Sequence, residues 1–211
     1  MSKIRKAAVL GSGVMGGGIA AHIANAGIPV VLLDIVPKDA KNRNEVAEKA
    51  IDRLLKQDPA AFMHPGNAKL VTPGNLEDHL PLLAECDWII EAVLEDPAVK
   101  RATYEKIERH RQAGSIVSSN TSTIPLGNLI EGLPERFQRD FCITHFFNPP
   151  RYMRLLEIVA GPKTRPDAIA AVEEFCDVRL GKGVVHCKDT PGFIANRIGG
   201  GQGIATILER L

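Results

Sequence analysis

The 211-residue sequence predicts a doubly wound α/β fold built on a mostly parallel sheet. Three observations carry that expectation. Apolar, β-branched runs of strand length alternate with amphipathic stretches of helix length. The first such run, Ala7-Ala8-Val9-Leu10, enters a glycine-rich turn, and a helix pattern follows at once. A second apolar run, Pro29-Val30-Val31-Leu32-Leu33, ends in Asp34, an acidic residue about 20 residues past those glycines.

The turn is the most informative stretch. Gly11, Gly13 and Gly16 have the G-x-G-x-x-G spacing, with Val14 and Met15 where the helix opens. In a dinucleotide-binding turn, the first glycine permits the tight exit from the strand. The second lets the backbone approach a pyrophosphate, and the third lets the helix pack closely on the sheet. The helix N-terminus presents free N–H groups and partial positive charge to the phosphates. This is the start of a Rossmann-like unit. A carboxylate at Asp34 accepts both ribose hydroxyls and repels a 2′-phosphate, and Ile35-Val36-Pro37 supplies no arginine, so NAD is favoured over NADP.

The remaining elements follow in order. The first helix runs to Gly27, a plausible helix-ending glycine. A long helix is predicted over 39–57, with Val46, Ala50, Leu54 and Leu55 as its apolar stripe. A short strand is predicted over 69–72, ended by Pro73-Gly74, and a stronger one over 87–93. Asp96-Pro97 supplies an N-cap and a first-turn proline for a helix to about residue 112, which Gly114 stops. Strands follow over 115–119, 141–147 and 153–159, with the polar loop Asn120-Thr121-Ser122-Thr123 between the first two. A helix over 167–180, a strand over 184–187 and a helical stretch over 193–211 complete the chain. Glycines 199, 200, 201 and 203 weaken that last stretch by about 1 kcal/mol each.

Bulk properties narrow the class. A net charge of +1 with no long single-sign run gives no reason to expect nucleic acid or an anionic membrane as partner. No run approaches the roughly 20 apolar residues of a membrane span, and the amino terminus has no signal-peptide pattern. Cys86, Cys142, Cys176 and Cys187 are widely spaced and read as reduced, buried thiols of a cytoplasmic protein. Neither they nor the six histidines have metal-ligand spacing, so no metal site is expected.

Ligands of open α/β sheets sit at the carboxyl ends of the strands, where Ser122, His145 and Asn148 fall. Along 153–159 one face carries Met153, Leu155, Glu157 and Val159, so Glu157 shares a row with apolar residues and needs a partner. Phe141, Ile143 and His145 share a face of the preceding strand. A His145–Glu157 pair would satisfy both groups and orient the imidazole for proton exchange. Each residue also has a purely structural reading: a core histidine beside a surface glutamate, Ser122 as a helix cap, Asn148 as a turn residue.

Four segments carry a family resemblance: residues 11–20, Ser119-Asn120-Thr121-Ser122, His145-Phe146-Phe147-Asn148-Pro149-Pro150, and Lys188-Asp189-Thr190-Pro191-Gly192-Phe193-Ile194-Ala195-Asn196-Arg197. In order and spacing the chain resembles the NAD-dependent 3-hydroxyacyl-CoA dehydrogenases. The resemblance implies His145 as catalytic base, Glu157 as the carboxylate that orients it, Ser122 as a contact to substrate and cofactor, and Asn196 as a polariser of the reacting oxygen. It further implies that Asn148, Glu95 and Lys100 contact the cofactor, and that an acyl-CoA is the substrate, with coenzyme A near the 40–55 helix. The expected activity interconverts L-3-hydroxyacyl-CoA and 3-oxoacyl-CoA, as in fatty acid β-oxidation. The expected domains are an NAD-binding unit over 1–190 and, over 191–211, the start of a helical domain that the family uses for cleft closure and homodimer formation. Two other readings stay open: an NAD-binding fragment inactive without the helical domain, and a related dehydrogenase of a free hydroxy acid. The second relies on a catalytic lysine, which the His145/Glu157 pair argues against.

Overall fold

A computed structural model describes residues 4–194. Its centre is an eight-stranded sheet of β1 (Ala7–Leu10), β2 (Val30–Asp34), β3 (Val71–Asn75), β4 (Trp88–Glu91), β5 (Ile116–Ser119), β6 (Phe141–Phe146), β7 (Leu155–Ala160) and β8 (Gly183–Cys187), in the order β3-β2-β1-β4-β5-β6-β7-β8. Neighbours from β3 to β6 run parallel, β7 runs antiparallel to β6, and β8 is parallel to β7. The chain moves outward from β1 in one direction, returns, and leaves in the other through β4. The crevice between β1 and β4 is therefore the switch point at which such sheets hold ligands.

Strand alternation divides the core into two layers. Ala7, Val9, Val30, Leu32, Trp88 and Ile90 face α1 (Val14–Asn25), α2 (Glu45–Lys56) and α6 (Pro166–Glu174). Ala8, Leu10, Val31, Leu33 and Ile89 face α3 (Pro97–His110), α4 (Leu126–Ile130) and α5 (Glu135–Asp140). With both faces covered, the parallel strands are apolar throughout rather than alternating.

The structure corrects several boundaries. The helix predicted over 39–57 begins only at Glu45. Asp39 sits in the left-handed region at φ 59°, and Asn42 turns the chain by accepting the Asn44 N–H at 3.0 Å. Its buried stripe is Ala47, Ala50 and Leu54, whereas Leu55 is 43% exposed. Pro73-Gly74 lies inside β3 instead of ending a strand. This is tolerated because β3 is an edge strand whose outer N–H groups need no partner. The turn expected at Pro65-Gly66-Asn67 continues as a 3₁₀ turn to Leu70, and the helix that a capping Ser122 implies is α4, although its N-cap is Pro125; α5 and the 3₁₀ turn over Leu80–Glu85 are not predicted by the sequence. The helix predicted over 167–180 stops as α6 at Glu174 and continues as a π-turn, Phe175–Arg179, before Gly181 at φ 65°. The helical stretch predicted over 193–211 falls mostly outside the described residues. Phe193 itself stands in a turn at φ 45°. The four cysteines are free; Cys187 is only half-buried, unlike the other three.

Candidate active site

The glycine turn is forced by packing at two of its three positions. Gly11 has φ 98°, and a Cβ there would lie 2.4 Å from the Ala92 carbonyl oxygen. A Cβ on Gly16 would lie 1.8 Å from the Gly11 carbonyl oxygen, so α1 can leave the strand at this angle only without one. At Gly13 a Cβ would meet nothing within 4 Å. That position opens onto the cleft. Gly13 is also the N-cap of α1 and supplies no side-chain acceptor, so the first-turn N–H groups face outward. Arg53 of α2 backs the turn, donating to the Ser12 carbonyl at 3.1 Å.

Asp34 stands at the end of β2, beside the turn. Its Oδ2 accepts the Ser12 hydroxyl at 2.6 Å and the Ser12 N–H, and its Oδ1 accepts the Ile35 N–H at 2.7 Å. An anion site at a helix N-terminus, a glycine with open space before it and a fixed carboxylate one strand away together fit the pyrophosphate and ribose of NAD.

A cleft of about 490 Å³ runs from this turn across the carboxyl ends of β4, β5 and β6. Gly13, Val14 and Met15 line one wall, and Ser122, His145 and Asn148 line the other. The antiparallel register sets His145 directly opposite Glu157. The imidazole Nδ1 is 2.8 Å from Glu157 Oε2, with the residues 6% and 1% exposed. A carboxylate accepts only, so Nδ1 carries the proton and Nε2 is left with its lone pair. The Phe147 and Phe193 rings stand 4.5 and 5.9 Å from the imidazole and limit water around it. Glu157 Oε1 accepts the Ile194 N–H at 3.0 Å and lies 3.6 Å from the Cys187 thiol. Burial and the Glu157 charge push that thiol up to about 12, so it remains a neutral donor.

A second buried ionic group holds the loop that carries Ser122. Lys100, 1% exposed, sits between Glu91 at 2.8 Å and Glu95 at 3.1 Å. Glu91 Oε2 also accepts the Tyr104 and Ser119 hydroxyls at 2.7 and 2.6 Å. Burial, followed by the Glu91 charge, raises the Tyr104 phenol far above its usual range and keeps it a donor. Glu95 Oε1 takes the Thr121 hydroxyl and the Ser122 N–H, the latter at 3.1 Å. Burial alone would raise the Glu95 carboxyl. The Thr121 hydroxyl, the Lys100 charge and the Ser122 N–H outweigh burial and hold it below the usual value.

Of the expected site residues, all but Asn196 come together at this sheet end; Asn196 lies outside the described residues. Lys100 reaches the cleft from behind Glu95 rather than from its surface. Glu91 was missed, although a carboxylate closing the apolar run Trp88-Ile89-Ile90 is the same signal that singled out Glu157. Asn120 was missed as well. Its Oδ1 accepts the Phe146 N–H at 2.9 Å and ties the Ser122 loop to β6.

Fold and cleft define a dinucleotide-binding domain with a buried histidine–carboxylate pair at the cleft wall. The chain belongs to the 3-hydroxyacyl-CoA dehydrogenase family, whose NAD-binding domain matches residues 6–190, and NAD is its cofactor. It is 52% identical over 197 residues to a probable 3-hydroxyacyl-CoA dehydrogenase of Deinococcus radiodurans, covering 93% of this chain and 57% of that one. It is 46% identical to a putative fatty acid oxidation complex trifunctional enzyme of Rickettsia felis, covering 94% of this chain and 28% of the other. The crystal structure of the (S)-3-hydroxybutyryl-CoA dehydrogenase PaaH1 from Ralstonia eutropha superposes with a TM-score of 0.74 at 31% identity, covering 93% of this chain and 68% of that one. The chain thus spans little more than half of the first of these relatives and under a third of the second.

Proposed function

We propose that the protein containing this chain interconverts L-3-hydroxyacyl-CoA and 3-oxoacyl-CoA with NAD, as a step of fatty acid β-oxidation. The His145–Glu157 pair, set in the cleft opposite the glycine turn, carries the reading. In the oxidative direction His145 Nε2 removes the proton of the 3-hydroxyl. Glu157 holds the ring and stabilises the imidazolium that results. Ser122 and Asn196 hydrogen-bond the reacting oxygen. Bound NAD supplies the hydride acceptor. Gly11, Gly13, Val14, Met15 and Gly16 hold its pyrophosphate and Asp34 its adenosine ribose. Glu95, Asn148 and, through Glu95, Lys100 border its nicotinamide half. Residues 1–190 form the cofactor domain and 191–211 lead into a helical domain that completes a homodimer. Four free thiols and the absence, among the described residues, of any helix long and apolar enough to cross a membrane support a cytoplasmic setting.

The test is NADH oxidation with acetoacetyl-CoA, run on the full-length protein and on the 211-residue chain. His145→Gln is expected to abolish turnover and leave NADH binding in place. Full activity of His145→Gln sinks the assignment. A second reading, an NAD-binding module that turns over only with the rest of its protein, is supported by the share of its relatives that the chain spans. NADH binding without turnover by the 211-residue chain, restored in the full-length protein, is its signature.

A further inference from the structure

The Lys188-Asp189-Thr190-Pro191-Gly192-Phe193 segment carries none of the steps above, yet it touches the site from two sides. At one end the Asp189 carboxylate accepts the Leu126 N–H at 2.6 Å and the Gly127 N–H at 2.9 Å. These are first-turn donors of α4, the helix entered directly from the Ser122 loop. The N-cap residue there is Pro125, which has no side chain that can accept, so the cap comes from 63 residues away in sequence. Between the ends, the segment is braced by Thr190 N–H to Lys188 O at 2.8 Å and Phe193 N–H to Thr190 O at 3.0 Å. Phe193 is 1% exposed and packs in the same apolar cluster as Leu126, Leu129 and Val159, with its ring against the imidazole. At the other end, Ile194 N–H and the Cys187 thiol reach Glu157 Oε1, the oxygen that His145 does not use.

We propose that Asp189 is a positioning residue of the active site: by capping α4 it anchors a strap, residues 187–194, whose far end fixes the Glu157 carboxylate and so the plane in which Glu157 holds His145. The strap links the Ser122 loop to the dyad, two parts of the site that come from different strands. A carboxylate held by donors on one oxygen has one orientation left for the other. Loss of the strap removes two donors that fix this orientation, which weakens the hold of the carboxylate on the imidazole. The proposal rests on the reading of His145 and Glu157 as the acid–base pair, but its test needs no turnover.

The experiment is proton NMR of the ¹⁵N-labelled 211-residue chain, following the His145 Nδ1–H resonance, assigned by its absence in His145→Gln. In the wild type the carboxylate partner and burial hold this proton downfield and slow its exchange. Asp189→Ala is expected to lose the resonance to exchange with water while NADH affinity is unchanged. Leu129→Ala, which removes a fully buried side chain of α4 from the apolar cluster that Phe193 shares but leaves the Asp189 carboxylate in place, is the control. It is expected to lower the unfolding temperature at least as much and to keep the resonance. If Asp189→Ala does not fold, Asp189→Asn, which keeps one acceptor, carries the test, and an upfield shift with faster exchange supports the strap. A resonance of wild-type position and intensity in whichever Asp189 variant folds overturns the proposal. So does equal loss of the resonance in Leu129→Ala. Loss of dehydrogenase activity elsewhere in the protein would leave these spectra unaffected, so failure of the functional reading and failure of the strap are separable.

Discussion

A Cβ on Gly16 would stand 1.8 Å from the carbonyl oxygen of Gly11, whereas one on Gly13 would meet no protein atom within 4 Å. The motif therefore contains two kinds of glycine. Gly16→Ala is expected to destabilise the fold by about 1–3 kcal/mol, because the helix must move off the strand to make room. Gly13→Ala is expected to leave the unfolding temperature unchanged and to weaken NADH binding at least tenfold, since its methyl group enters space that only the pyrophosphate needs. Thermal denaturation and NADH fluorescence titration of both variants check the pair. Normal NADH binding by Gly13→Ala would remove the pyrophosphate from this turn.

Asp34 holds Ser12 and, in the proposed reading, also accepts the adenosine ribose. Replacing it with alanine removes an acceptor that hydrogen-bonds as a charge, worth about 1.5–3 kcal/mol per bond. NADH affinity is expected to fall by roughly ten- to a hundredfold. NADPH affinity is not expected to rise to the level of wild-type NADH, because Ile35-Val36-Pro37 directly after Asp34 supplies no guanidinium for the 2′-phosphate and Arg43, further along the loop, is paired with Glu77 and Asp78. Parallel titrations with the two cofactors decide this.

Glu91 is fully buried, and its substitution by alanine would strand Lys100, Tyr104 and Ser119. Removing one partner of a buried ion pair costs about 3–5 kcal/mol. Glu95 remains beside Lys100 at 3.1 Å, which places the expected loss near the lower end, about 3 kcal/mol. Glu91→Gln, which keeps an acceptor for the two hydroxyls, is expected to lose less. Urea unfolding of both variants measures the difference, and equal losses would show that charge rather than hydrogen bonding dominates.

His22 of α1 is 4% exposed, and among the described residues neither ring nitrogen finds a hydrogen-bond partner. Burial, then the Lys182 charge, lowers its pKa to about 4 from 6.5. The unfolded chain binds this proton from about pH 6.5 downward and the folded chain only near 4. Stability is therefore full above that window and lost as pH falls through it, by roughly 3 kcal/mol in all. His22→Met, which fills irregular space without a titrating group, is expected to be at least as stable at pH 7 and to lose this part of the pH dependence. Urea midpoints at pH 7 and pH 4.5 test it. An unchanged slope in the variant would assign the acid sensitivity to other groups.

Much of the fold is legible from local pattern. The β1–turn–α1–β2 unit follows from a run of apolar residues, three spaced glycines and one acidic residue, all within 28 positions. The His145–Glu157 pair is legible for a different reason: a carboxylate in an apolar strand row must find a partner, and the adjacent strand offers one. Glu91 obeys the same rule, but its partners Lys100 and Tyr104 lie on the following helix, where only the folded chain shows that they turn inward. The short helix α5 has no signal in the sequence, and α4 has only the capping reading of Ser122. Five and six residues are too few to show a period, and α4 is held by a cap from Asp189 that is remote in sequence.

By itself, then, the sequence determined the class of fold, the place of the dinucleotide turn and the pairing of His145 with Glu157, because each rests on spacing within one or two neighbouring elements. The tertiary structure decided which oxygen of Glu157 faces His145, how Lys100 is shared between Glu91 and Glu95, and what holds the Ser122 loop. Those contacts join residues distant along the chain, and no local periodicity encodes an angle or a distance between elements that meet only when the sheet is assembled.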